Sequence, residues 1–173
     1  MARHYPPEEV IHMLAQDAKD EQFIGRYLPS LGNEATSFAV QCGDGLSVVL
    51  GPSRPEAQVK PWFLTFAAGV ALDVPDIEGT LRWVNARNRE LTIGRYLSCI
   101  HEDRRMTAVI YTESVSSTII GTQEVWIYLT RLMTMMAKAS ATEPAGFIRM
   151  HGGIPFCYEQ HDFLLAMMAL SPA

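Results

Sequence analysis

No G-x-S-x-G, no Walker loop and no G-x-G-x-x-G occurs in the 173 residues, so the common nucleophile-elbow and phosphate-cradling routes to catalysis have no local signature. Gly43-Asp44-Gly45 is too short to cradle a phosphate. The cysteines, Cys42, Cys99 and Cys157, are odd in number, lie far apart and form no C-x-x-C. That spacing reads as buried or reduced thiols, not as a disulfide framework or a zinc site. His101-Glu102-Asp103-Arg104-Arg105 lacks the second histidine of an H-E-x-x-H site and reads as a solvated strand turn. Basic residues are also few: 14 Lys and Arg stand against 19 Asp and Glu, a formal net charge of -5. This speaks against a broad nucleic-acid surface, which needs clustered cations. Long apolar runs are missing as well. The longest apolar-rich stretch, Pro61 to Leu72, falls well short of the roughly 20 residues a spanning helix requires. The opening MARHYPPEEV holds no apolar segment suited to a signal peptide. A cytoplasmic protein without membrane insertion is expected.

What is present suits a globular chain: 48% apolar and 9% aromatic residues, enough for one compact core. The expected organisation is an α+β domain over residues 1–142, with residues 143–173 as a C-terminal extension packed on it. Pro6, Pro7, Glu8 and Glu9 open a helix, since its first turn needs no proline N–H and favours acidic side chains. Val10, Ile11, Leu14, Ala15 and Ala18 form its inner face, to about Asp20. LPSLGNEA reads as loop. TSFAVQC and LSVVLG flank the glycine-bearing turn of a hairpin. Val59 to Leu72 is a long strand with apolar or small residues on both sides. It is either covered on both faces, or covered on one and left open for contact on the other.

VPDIEGTLRWVNARNREL follows, with a start at Pro75-Asp76 and Ile77, Leu81 and Val84 marking its inner face. Gly94 to His101 and Met106 to Glu113 are two more strands. Thr122 caps a last long helix to about Ala141. Beyond Glu143 a Gly- and Pro-containing loop leads to a short helix, Phe163 to Leu170, capped by Asp162. Short connections between strands imply an antiparallel sheet of about five strands flanked by helices, in order α-β-β-β-α-β-β-α, plus the tail helix.

The stretch from Val84 to Val109 carries a likeness. A helix bearing V-N-A-R-N-R, a break, Gly94-Arg95-Tyr96, a strand, a charged turn and a second strand resemble the type III secretion chaperone-like fold. Within that fold they resemble the YbjN-type branch, the TY-chaperones. The resemblance spans Pro7 to Ala139, and the tail after Glu143 has no counterpart. It implies a small cytoplasmic protein, often dimeric, that binds a segment of a client protein, needs no cofactor and is not an enzyme.

Candidate residues follow from misplaced polarity and excess apolar surface. Asn85 and Asn88 share a helical face with Leu81 and Val84. A carboxamide on an inner face must find partners. The expected partners are main-chain groups of the turn Leu91 to Gly94, which would make Asn85, Asn88 and Gly94 a structural motif; direct contact with a client backbone is the other reading. Val125 to Leu129 gives five successive large residues, followed by Leu132, Met133, Met135 and Met136. These cover more than one face of a helix, and methionine re-packs around varied partners. Trp126, Leu129, Met133 and Met136, with Trp62, Phe63 and Phe66 from the long strand, are candidates for a client or homodimer surface; plain core is the alternative. A metal site at Cys157, Glu159, His161 and Asp162, joined by His151, and a small enzyme built on Cys99, His101 and Glu102, are the competing chemistries. A regulatory subunit active only through association is the third.

Overall fold

The computed structural model of the chain describes residues 5–29, 36–52, 62–101, 106–120, 123–157, 160 and 164. Helix α1 (Pro7–Lys19) starts as its prolines and acidic first turn dictate, and it buries Val10, Ile11, Leu14, Ala15 and Ala18. The next element is a strand that begins before the segment read as loop and runs into it. β1 (Arg26–Pro29) has four residues and ends on proline. It is an edge strand, where a missing N–H does least harm. Strands β2 (Ser37–Cys42) and β3 (Gly45–Leu50) form the expected hairpin. Cys42 lies opposite Gly45, and Gly43 takes the positive φ of 58° that the two-residue turn demands.

Strand β4 (Phe63–Ala71) is central. Helix α2 (Ile77–Glu90) then leads to β5 (Arg95–His101), β6 (Met106–Ser116) and the 29-residue helix α3 (Gln123–His151). The sheet has six strands in the order β1-β2-β3-β4-β6-β5, every neighbouring pair antiparallel. Strands β4 and β5 both run antiparallel to β6, so they run parallel to each other. Helix α2 makes the crossover between them. The fold is α+β, with one strand more than expected.

Both faces of the sheet are covered. On one face α1 and α3 pack over Phe38, Leu64, Phe66 and Val109, and α2 adds Val84 against Tyr96. On the other, Leu28, Ala39, Leu46, Val48, Ala67, Ala108 and Ile110 form a second core with Phe156 and Leu164 of the C-terminal segment. That segment leaves α3 through Gly152 and Gly153, at φ 77° and 100°. Ile154 then pairs with Leu72 through two main-chain hydrogen bonds of 2.8 Å. The Phe156 ring lies against Gly69, where a Cβ would overlap it.

Two expectations are corrected here. Ile77 and Leu81, read as the inner face of α2, are about 40% exposed. Instead Thr80 and Val84 are buried and Trp83 and Asn88 half-buried. The Trp83 ring sets this rotation by packing edge-on against both Tyr96 and Phe147, at 4.7 and 4.9 Å. Asp76 fixes the start: its carboxylate caps Gly79 N at 2.9 Å, and its carbonyl accepts the Thr80 hydroxyl at 2.6 Å.

Helix α3 does not stop near Ala141. It runs through Pro144 to His151, so the position between Thr142 and Glu143 lies inside a helix. A proline cannot donate to the carbonyl four residues back, here that of Ser140. The hairpin backs onto that unbonded carbonyl at Gly45, where any Cβ would collide with it. The expected Thr122 cap and the tail helix Phe163–Leu170, Leu164 excepted, lie outside the described residues.

Candidate binding surface

Helix α3 divides its apolar residues between two sides. Leu129, Leu132, Met133, Met136, Ala137 and Phe147 recur at helical spacing and are buried on the sheet. Ile127, 47% exposed, lies off that stripe, and Trp126 and Met135 are half-buried. With Thr130, Arg131, Thr134, Lys138 and Asp17 of α1 they line an open hollow of about 600 Å³. Its floor is largely apolar. The Thr130 hydroxyl donates to Asp17 Oδ2 at 2.8 Å and ties α1 to α3 at the groove. Arg131 and Lys138 are exposed on its rim, so the margin is cationic once Asp17 is engaged.

The candidate surface residues separate accordingly. Phe66 and Leu129 are 0% exposed, and Met133 and Met136 are 1% exposed. These four are core, because they point at the sheet or lie in it, and they are corrected from partner surface to interior. Trp62 is half-buried, its backbone N–H bonded by Ser117 Oγ at 3.1 Å. Phe63 is 41% exposed on the far side of the sheet from the helices. Trp126 is the one candidate that reaches the groove. Thr130, Arg131, Thr134 and Lys138 were missed. Their signal was present in the sequence as polar residues spaced four and seven apart along one face with Ile127.

The asparagines also separate. Asn85 is exposed, and its expected role in the turn is corrected: the rotation of α2 that brings Trp83 inward turns Asn85 outward. Asn88 does bond main chain, but at Tyr96, just past the turn. Its Nδ2 donates to Tyr96 O at 2.9 Å, and its Oδ1 accepts from Tyr96 N at 2.6 Å. Gly94, at φ 73°, donates its N–H to Glu113 Oε2 at 2.5 Å. A Cβ there would press on the Tyr111 ring.

Around this junction lies an aromatic ladder. Tyr96 stacks on Tyr111 at 4.8 Å, and Phe147 meets the His151 ring at 4.9 Å. The Arg87 guanidinium lies over Trp83 and Tyr96, and is 3.5 Å from both Glu90 and Glu143. Burial, reinforced by the charge of Glu143, pushes the Tyr96 phenol up to about 12. His151 Nδ1 lies 2.9 Å from Asp76 Oδ2, and that contact, with the Gly79 N–H, holds the Asp76 carboxyl below its usual range. These groups are engaged with one another and serve the packing of α2, β5 and α3.

Of the competing chemistries, burial raises the Cys99 thiol and so disfavours the thiolate a nucleophile needs. The His101 side chain and Glu102 lie outside the described residues, as do Glu159, His161 and Asp162. Among the described residues no group of three or more His, Cys, Asp or Glu side chains is placed to hold a metal ion. No helix among them is long and apolar enough to cross a membrane.

No protein-family model matches the sequence, and no curated protein matches it. Among solved structures, the chain is similar to YbjN from E. coli, there called a "putative transcription regulator". The TM-score is 0.51 at 11% sequence identity, and the match covers 82% of this chain and 96% of that one. At this identity the likeness is one of architecture, and the chain has a YbjN-like α+β fold.

Proposed function

We propose that this chain is a non-catalytic binding module that grips an apolar segment of a client protein along the outer face of α3. The observation that carries the reading is the groove at Trp126, Ile127 and Met135, an apolar floor left open after the same helix has buried a full stripe of leucines and methionines on the sheet. What recommends the groove is its concave shape, with a largely apolar floor and polar groups at the margin. The rim selects among segments. Arg131 and Lys138 stand exposed beside the floor, so the fitting occupant alternates apolar side chains with carboxylates. A helix or extended strand of that pattern fills such grooves in known recognition modes. The YbjN-like architecture supports a protein that works by association, and the three cysteines, odd in number, suit a reducing cytoplasm.

Selection from a random peptide display library tests this. The expected outcome is enrichment of sequences combining Leu, Ile or Phe with Asp or Glu. Their affinity should fall at least tenfold with Ile127→Lys, and fall again with Arg131→Glu, while the unfolding midpoint stays unchanged. Peptides that bind Ile127→Lys as tightly as the parent chain would remove the groove from consideration. Light scattering that shows a dimer broken by Ile127→Lys, with no peptide selected, would assign the groove to a second copy and overturn the client reading.

A further inference from the structure

A second hollow, of about 380 Å³, opens on the C-terminal half of α3, between that helix, the β2–β3 hairpin and Pro155. Helix residues 140–141, 144–145 and 148–149 line it, pairs set four apart and so on one side of α3. The floor is apolar: Pro144 is buried and Ile148 half-buried. The ends are polar and opposite in sign. Asp44 stands at the Ser140 end, beside Gly45, which backs onto the Ser140 carbonyl. Pro144 leaves that carbonyl without its helical donor. Arg149 stands at the other end, roughly 13 Å further along the axis at 1.5 Å per residue. Asp44 and Arg149 are exposed, and among the described residues neither has an ion pair or a hydrogen bond.

We infer that this hollow binds a free α-amino acid with an aliphatic side chain of about the size of leucine. Small-molecule sites are mostly apolar hollows of about 300–1,000 Å³ with a few convergent polar groups, and this one lies at the small end of that range. Its polar groups are a carboxylate and an unbonded carbonyl at one end and a guanidinium at the other. The ligand's ammonium donates to Asp44 and to the Ser140 carbonyl. Its carboxylate accepts from the planar fork of Arg149. Its side chain lies on Pro144, Ile148 and Pro155. A ligand of one sign leaves one of the two charges unanswered, and an apolar ligand leaves both. A residue inside a peptide carries neither charge on its main chain, and the hollow has no room for a run of residues. The groove at Trp126, Ile127 and Met135 shares no residue with this site, so neither reading depends on the other.

Isothermal titration calorimetry of L-leucine into the full chain tests this. The expected result is saturable one-to-one binding. Leucinamide, which lacks the carboxylate, and isocaproate, which lacks the ammonium, should each bind at least about tenfold more weakly. The two variants should fail in matching ways. Arg149→Gln should bring leucine down to the affinity of leucinamide, and Asp44→Asn should bring it down to that of isocaproate. Both positions are exposed, so the urea midpoint without ligand should not move. Should Asp44→Asn disturb the hairpin turn, the comparison of leucine with leucinamide in Arg149→Gln still decides. Ile127→Lys should leave leucine binding intact. Absence of binding by leucine, isoleucine, valine and methionine at about 10 mM overturns the inference. So does equal affinity for leucine and leucinamide, and so does leucine binding that survives unchanged in both variants. Trileucine binding more tightly than leucine would make the hollow a peptide site and overturn it as well.

Discussion

Asn88 holds both main-chain polar groups of Tyr96, accepting from its N–H at 2.6 Å and donating to its carbonyl at 2.9 Å. Strand β5 is an edge strand, and at Tyr96 these groups turn away from β6, so the carboxamide supplies what a seventh strand would. It also blunts the edge against pairing with other chains. Asn88→Ala leaves a donor and an acceptor beside a buried tyrosine without partners, and is expected to destabilise the fold by about 1–3 kcal/mol. Asn88→Asp keeps the acceptor but sets a carboxylate against the Tyr96 carbonyl, and should be no better. Asn85→Ala, on the solvent side of the same helix, should stay within about 0.5 kcal/mol of the parent. Urea unfolding of the three variants checks the contrast, and equal losses at positions 85 and 88 would refute it.

Asp76 joins the start of α2 to the end of α3, capping Gly79 and contacting His151. Its carboxyl is held down first by the His151 contact and then by the Gly79 N–H. A carboxyl with a depressed folded pKa contributes stability that is present above its unfolded value, 3.8 here, and is lost as pH falls through the folded value. The urea midpoint should therefore fall on acidification below about pH 4, and Asp76→Asn should flatten that part of the profile. His151→Gln should flatten it too, by removing the larger of the two causes. An acid limb of unchanged steepness in both variants would show that other carboxylates control it.

The start of α1, the β2–β3 hairpin and the centrality of β4 were legible because each rests on a local rule: proline and glutamate in a first turn, glycine in a tight turn, apolar residues at both parities of a strand. Strand β1 was not, because four residues ending in Pro29 carry too short a pattern. The inner face of α2 was misread because Leu81 and Trp83 compete for it, and the larger ring prevails through partners on β5 and α3 that no local window contains. Helix α3 was expected to end near Ala141, yet it runs on through Pro144, and the hairpin at Gly45 meets the carbonyl that this proline leaves unbonded. The two alternatives for β4 were decided by Phe156 lying on Gly69, a contact spanning more than half the chain. Of the residues named from the sequence, Trp126 lines the groove. The unbroken run VWIYL has no periodicity of its own, so which of its residues face outward depends on where the sheet lies.

Among the described residues Tyr96 is the most strongly shifted group on the alkaline side, with burial the first cause and the charge of Glu143 the second. Its folded value of about 12 stands above the ordinary 10.0. The sign is opposite to that of Asp76: the contribution to stability is complete below pH 10 and is lost as pH rises toward 12. Ultraviolet titration should show this phenol ionising last among the tyrosines. Tyr96→Phe should remove the corresponding fall in unfolding midpoint between those limits. A phenol titrating near 10 in the folded protein would place Tyr96 in contact with water.

Gly69 and Phe156 are coupled by shape. Phe156→Ala empties a site where the ring is 1% exposed, and truncations of buried phenylalanine cost about 3–5 kcal/mol. Gly69→Ala puts a methyl into the volume of the same ring, and overpacking of this kind costs about 1–3 kcal/mol. Together the two changes partly compensate, because the new methyl occupies space the ring has left. The double variant is therefore expected to lose less than the sum of the single losses, by at least about 1 kcal/mol. A thermodynamic cycle from urea unfolding of the four proteins measures that difference. Strict additivity would mean that Phe156 does not sit on Gly69, and the second face of the sheet would then need another cover.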